Sequence, residues 1–417
     1  MAGIPGPDWK LRLVVVAVVA AVASGAVGWL VGSGTLGRLA AISPTTPSSV
    51  ANVPVGMNPF GLGLDSANGY VYVPDWGSNS VTVLNGTSVV ANLTNLQGIG
   101  YEPHWATYDP ADGAVYISDA GDGYLGLVSG TTAATDIGMS SVGPQESVFD
   151  PANGFLYVPD WGGSVDLVAG GSVAHSIVGI VGNPIFATYD PANGYVYVSD
   201  TSGDTVNVIH GVAVVGNVTV GSNPWRTTYD PANGFVYVPN SGSGNLSVVD
   251  GTTVVATVAV GLGPFGAVYD PADGDVYVSN KGSANMTILN GTKIVGTVPV
   301  GLDPTYGVFD PADGCVWFAN AGSANLSGIC GSRSAGSVAV GAYPRTLIYD
   351  PANRDLYVTN WDSATVSVIP PSALGQVVPA ALRTTGLAAG LKEGSSVAAG
   401  SPSPGLVFSA AERIRPD

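Results

Sequence analysis

Pro264-Phe265-Gly266-Ala267-Val268-Tyr269-Asp270-Pro271-Ala272-Asp273-Gly274-Asp275-Val276-Tyr277-Val278-Ser279-Asn280 reads as strand, turn, strand. Phe265 to Tyr269 is a short apolar run. In Asp270-Pro271-Ala272-Asp273-Gly274 the aspartate opens an Asx-type turn, the proline presets φ, and Asp-Gly tolerates positive φ. Val276 to Asn280 is β-branched around Tyr277, which suits a strand. Lys281-Gly282-Ser283-Ala284 then breaks the pattern, and Asn285 to Leu289 is a third strand. Asn290-Gly291 is a strong two-residue hairpin signal, and Lys293 to Val300 is a fourth strand ending at Gly301. Four antiparallel strands on short connections make one small sheet.

The same text occurs eight times in the 417 residues, as Pro-x₅-Asp-x-Ala-Asn/Asp followed by an aromatic-centred strand. The prolines are Pro59, Pro103, Pro144, Pro184, Pro224, Pro264, Pro304 and Pro344; the aspartates are Asp65, Asp109, Asp150, Asp190, Asp230, Asp270, Asp310 and Asp350. After spacings of 44 and 41 the aspartates settle to a period of 40 residues. A strand-rich period of about 40 residues is the signature of an all-β propeller, in which each sheet needs neighbours to bury its faces. The second-strand aromatic recurs as Tyr72, Tyr116, Tyr157, Tyr197, Tyr237, Tyr277, Trp317 and Tyr357. A side chain required by every blade belongs to the scaffold: a large flat ring between blades, with a polar atom that reaches a partner.

Copy eight, Tyr349-Asp350-Pro351-Ala352-Asn353-Arg354-Asp355-Leu356-Tyr357-Val358-Thr359-Asn360, carries a further signal. It resembles the YVTN-type β-propeller repeat family, and the similarity spans about residues 49–370. The resemblance implies a prokaryotic surface or exported protein and brings no catalytic motif with it. Many members have seven blades; this chain shows eight copies.

Ser49-Val50-Ala51-Asn52-Val53-Pro54-Val55-Gly56 matches fourth-strand text, whereas Pro370-Pro371-Ser372-Ala373-Leu374 after copy eight is a poor strand. The expectation is a single propeller over 49–378 with eight four-stranded blades, closed by the N-terminal strand so that no sheet edge is left open; seven blades and a stray copy is the alternative. Residues 13–32 are uncharged and largely apolar behind Lys10 and Arg12. That length crosses a bilayer as one transmembrane helix, leaving 1–12 cytoplasmic. A cleaved signal peptide with Ala21-Val22-Ala23 as processing site is the competing reading. Residues 33–48 read as a flexible stalk, and 379–417 as a low-complexity tail, with a short helix expected over Val377 to Leu391.

Both N-terminal readings export the propeller, as a membrane-anchored protein or a secreted one. Cys315 and Cys330 are the only cysteines. If Asn320 faces Asn325 across a hairpin, the two cysteines also fall opposite, so a disulfide is expected, in keeping with an oxidising exterior. Asn-x-Ser/Thr triplets begin at Asn85, Asn92, Asn217, Asn245, Asn285, Asn290 and Asn325 and permit glycosylation. The formal net charge of −17 argues against a nucleic-acid partner, which needs a basic stripe. No zinc-type His/Cys cluster, nucleophile elbow or phosphate loop is present, and no cofactor or metal is expected.

The copies stop agreeing just after the repeated proline. There stand Phe60, His104, Trp105, Gln145, Glu146, Ile185, Phe186, Trp225, Arg226, Phe265, Thr305, Tyr306 and Arg345. Glu102 and Glu146, the only glutamates of the propeller, flank the same position. These side chains would ring the channel mouth. A ligand-binding face is expected from Phe60, His104, Trp105, Glu146, Trp225, Arg226, Phe265, Tyr306 and Arg345, with a protein or glycan at the cell surface as partner. The alternative is a lyase or hydrolase in which His104 works with Glu102 or Glu146 as an acid/base pair. The Asp/Asn closing each second strand (Asp75, Asp119, Asp160, Asp200, Asn240, Asn280, Asn320, Asn360) is read as a cap on its own turn rather than a cation ring. Trp76, Trp161 and Trp361 follow three of them and suit stacking on sugar rings or burial against the next blade.

Overall fold

A computed structural model describes residues 49–94, 99–180 and 182–377. The cytoplasmic segment, membrane helix or signal peptide and stalk expected over 1–48, and the tail over 379–417, lie outside the described residues. Eight antiparallel sheets of four strands each form a β-propeller, so the seven-bladed alternative falls. Helix among the described residues is limited to one 3₁₀ turn, Ala321–Ser323, and the short helix Pro371–Val377. No described helix is long and apolar enough to cross a membrane.

Blade six shows how the repeat folds. Its strands are Pro264–Asp270, Asp275–Asn280, Asn285–Asn290 and Lys293–Pro299, within a residue or two of the expected limits. Tyr277 pairs with Ile288 and Asn280 with Asn285 across the second and third strands. In every blade the repeated aspartate accepts, through Oδ1, the backbone N–H of the alanine two residues on at 2.7–2.9 Å, which is the Asx turn anticipated from composition.

Blade eight consists of Pro344–Tyr349, Leu356–Asn360 and Thr365–Ile369, and Ala51–Pro54 pairs antiparallel with the last of these, Ala51 opposite Val368 and Pro54 opposite Thr365. The chain then turns into the helix Pro371–Val377. Proline at the first helical position has the right φ and lacks an N–H that would go unused there. The helix expected over Val377 to Leu391 lies, beyond Val377, outside the described residues. Leu374 is buried with Cys315, Cys330, Val338 and Ile369 beneath it.

The blades are held by repeated interlocks. Tyr72, Val81 and Val83 of blade one pack on Ala106, Val115 and Ile117 of blade two, and Tyr357 and Val366 of blade eight pack on Val71 and Val73 of blade one. The second-strand tyrosines and Trp317 are fully buried, as expected of scaffold. Each ring hides about 150–250 Å² of surface. Several hydroxyls also reach forward to the outer hairpin of the next blade: Tyr72 donates to the Gly130 carbonyl at 2.8 Å, Tyr157 to Gly211 at 2.9 Å, Tyr237 to Gly291 and Tyr277 to Gly331 at 3.0 Å. In blade seven Trp317 donates its indole N–H to Asp313 at 3.0 Å.

Blade seven also holds the disulfide Cys315–Cys330, with Cα atoms 4.3 Å apart, one step beyond the pair Val316–Ile329 in a register that places Asn320 opposite Asn325.

Candidate functional site

The variable residues meet at one end of the central channel because each first strand starts there with its proline. Trp105 of blade two, Phe186 of blade four and Tyr306 of blade seven converge across the bore, with ring centroids 6.2 Å apart for Trp105–Phe186, 5.8 Å for Trp105–Tyr306 and 6.3 Å for Phe186–Tyr306. Phe265 joins at 5.1 Å from Tyr306 and stacks on Trp225 at 4.5 Å. Gly61 makes room for the plug: a Cβ there would lie 2.6 Å from the Trp105 ring and 2.7 Å from the His104 carbonyl. Phe60, Trp105, Phe265 and Tyr306, expected on an open ligand face, are instead buried. Eight blades leave a bore wide enough to need filling, and apolar rings gain most by filling it.

Charged groups sit on this plug. Glu146 of blade three and Arg226 of blade five form an ion pair that passes over blade four. Burial pushes the Glu146 carboxyl up, and the Arg226 guanidinium opposes it. Arg226 also lies over the Tyr306 ring at 5.6 Å, and Lys281 over Phe265 at 5.2 Å. Arg345 stacks on Phe60 at 3.8 Å and on Trp361 at 4.9 Å, with no ion pair among the described residues. The propeller's lysines and arginines are only Arg226, Lys281, Lys293, Arg333, Arg345 and Arg354, and the first, second and fifth of these stand on the plug.

His104 packs its ring 3.7 Å from that of Phe60, and its Nδ1 is enclosed with no hydrogen-bond partner. Burial, reinforced by the Arg345 charge, holds its pKa down at about 3, so the imidazole is neutral near pH 7. Neither Glu102 nor Glu146 hydrogen-bonds it. Glu102 fills a backbone slot: the residue before the repeated proline is left-handed in most blades, as at Asn58 (φ 53°), Asn223 (φ 55°) and Asp303 (φ 52°). Asn, Asp and Gly suit that conformation. Glu102 (φ 61°) and Tyr343 (φ 54°) hold it with larger side chains.

The Asp/Asn that closes each second strand is fully buried. Asn280 donates to Asn285 Oδ1 at 2.8 Å and Thr287 Oγ1 at 2.9 Å, and accepts from the Gly261 N–H at 3.1 Å. These residues thus tie strands and loops together, and no metal-ligating cluster is found among the described residues. Beyond them Trp76 and Trp361 meet across the junction of blades one and eight, centroids 5.4 Å apart and tilted by 34°. Trp161 stands apart and is 48% exposed. Sequence reading overlooked Lys281 and Tyr343; the signal was that both replace smaller residues at fixed repeat positions.

No family model and no curated protein matches the chain. Among solved structures, it is similar to Sqt1 of Saccharomyces cerevisiae (TM-score 0.67, 10% identity, covering 77% of this chain and 98% of that one). A catalytically inactive virginiamycin B lyase from Staphylococcus aureus with quinupristin gives a TM-score of 0.53 at 13% identity, over 65% of this chain and 95% of that one. Kuenenia stuttgartiensis hydrazine synthase gives 0.53 at 16% identity, over 75% and 95%. At these identities the likeness shows the propeller fold alone.

Proposed function

We propose that the protein is a membrane-anchored binding module that displays its propeller outside the cytoplasm, takes a protein or glycan partner at the channel mouth, and belongs with the YVTN-type repeat proteins. The observation that carries the binding reading is the division of labour there. The plug is sealed by buried rings, while cations and indoles rest on top of it as a shallow surface. Export is supported by the apolar stretch 13–32 and by the Cys315–Cys330 disulfide, which suits an oxidising compartment. The pairing of Ala51–Pro54 with Thr365–Val368 supports an N-terminal strand that closes the ring.

The lyase or hydrolase alternative asks for His104 beside a carboxylate, whereas Glu146 is engaged by Arg226 and His104 Nδ1 has no partner. The test is retention of cell-surface material by immobilised full-length protein and by its Trp76→Ala/Trp361→Ala variant, alongside protease accessibility of the propeller on intact cells. Retention lost in the folded variant, with a propeller open to external protease, is the expected result. Unchanged retention, or a protected propeller, would overturn the reading.

A further inference from the structure

The repeat carries its own control, because eight copies show what each position holds when only the scaffold matters. At the junction of blades eight and one, two departures from that background fall side by side. The residue after the buried Asp/Asn is small or polar at Ala120, Thr201, Ser241 and Ala321, is Trp161 in blade three and Lys281 in blade six, and at this junction is Trp361 and Trp76. Tyr343 and Glu102 occupy left-handed positions that Asn, Asp or Gly fill in other blades. Backbone bonds fix both indoles: Trp76 N–H donates to the Asn58 carbonyl at 3.2 Å, and Trp361 N–H to the Tyr343 carbonyl at 3.0 Å. The two rings, only partly covered and tilted by 34°, form a shallow apolar shelf.

Beside that shelf lies Arg345, its guanidinium carbon 3.8 Å from the centre of the Phe60 ring and 4.9 Å from that of Trp361, in no hydrogen bond or ion pair among the described residues. A partly buried cation without a counter-charge is costly, and Arg345 has no carboxylate paired with it among the described residues of a chain whose net charge is −17. The two rings hold the guanidinium in place while its N–H donors stay without a partner among the described residues, and such a free fork takes a carboxylate through two parallel bonds. We propose that this sector binds an acidic sugar, with a pyranose ring lying on Trp76 and Trp361 and its carboxylate held by Arg345. This rests on the binding-module reading and names the ligand class for the same surface. The exposed Asp362 next to Trp361 offers an acceptor for sugar hydroxyls.

Calorimetric titration of the full-length protein with a galacturonic-acid oligomer and with the matching neutral galactose oligomer tests it. The uronide should bind about tenfold or more tightly than the neutral oligomer, and Arg345→Gln should remove that preference while leaving the neutral affinity in place. Arg345→Lys, which keeps the charge and loses the fork, should fall between, and it serves as the readout if the glutamine variant melts early. Trp361→Ala should weaken both ligands. Equal binding of the two oligomers, an Arg345→Gln variant that keeps the preference, or no uronide binding overturns the proposal. If uronide fails while surface material is still retained through Trp76 and Trp361, the acidic-sugar assignment alone falls; if neither binds, both readings fall.

Discussion

Asp75→Asn should stabilise the protein above neutral pH, a rare outcome for a change at a fully buried residue. Asp75 accepts from Thr82 Oγ1 at 2.6 Å and Ser80 Oγ at 3.2 Å through Oδ2, while its Oδ1 has no partner. Burial pushes its pKa from the ordinary 3.8 up to about 7. Because the folded value is the raised one, the native state binds a proton that the unfolded chain has already released between those values. Its contribution to stability is therefore fully present below pH 3.8 and lost as pH rises through about 7. At about 1.4 kcal/mol per pH unit, the ionised form at pH 8 is costlier by about 4 kcal/mol, an upper bound because the interior relaxes. Asparagine keeps the shape without the charge, and blade six shows it satisfied in this place, Asn280 donating to Asn285 and Thr287. Denaturant unfolding of both proteins at pH 5 and pH 8 is the assay. The variant should gain between about 1 and 4 kcal/mol at pH 8 and about two fifths as much at pH 5, where the unfolded chain has already released the proton. A loss at pH 8, or a wild-type pH slope carried over unchanged into the variant, would refute the reasoning.

The same sign applies to Asp160 and Asp310, raised to about 6, and Asp270, raised to about 7, so the wild-type protein should melt at a higher temperature at pH 5 than at pH 8. Tyr237→Phe removes a hydroxyl that bonds Gly291 and Asn233 and should cost about 1–2 kcal/mol by chemical denaturation without changing the fold. Gly61→Ala drives a methyl into the Trp105 ring and the His104 carbonyl, and should cost at least about 1–3 kcal/mol and alter tryptophan fluorescence. Reduction of Cys315–Cys330, which closes a separation of 15 residues, should lower unfolding stability by about 3 kcal/mol.

Period, strand number and turn chemistry were legible in the sequence because they are local and repeated: Asp270-Pro271-Ala272-Asp273-Gly274 states its own turn. The disulfide followed from register arithmetic along a single hairpin. The channel mouth was only half legible. Sequence showed that the copies diverge after each proline, but not that Trp105, Phe186 and Tyr306, from blades far apart along the chain, would meet and seal the bore. Nor could it show that His104 turns toward Phe60 rather than toward Glu102 or Glu146. Those outcomes depend on how much space eight blades leave at the axis, which no single repeat encodes.

The tyrosine hydroxyls that reach forward to a glycine carbonyl all point the same way around the wheel. The links run from Tyr72 to Gly130, from Tyr157 to Gly211, and from Tyr277 to Gly331. The stitching therefore depends on the tips of the outer hairpins and not on where the polypeptide begins. Circular permutants opened in a connection between blades should keep every stitch, whereas a cut at Asn290-Gly291 would release the Tyr237 stitch and leave blades five and six joined by apolar packing.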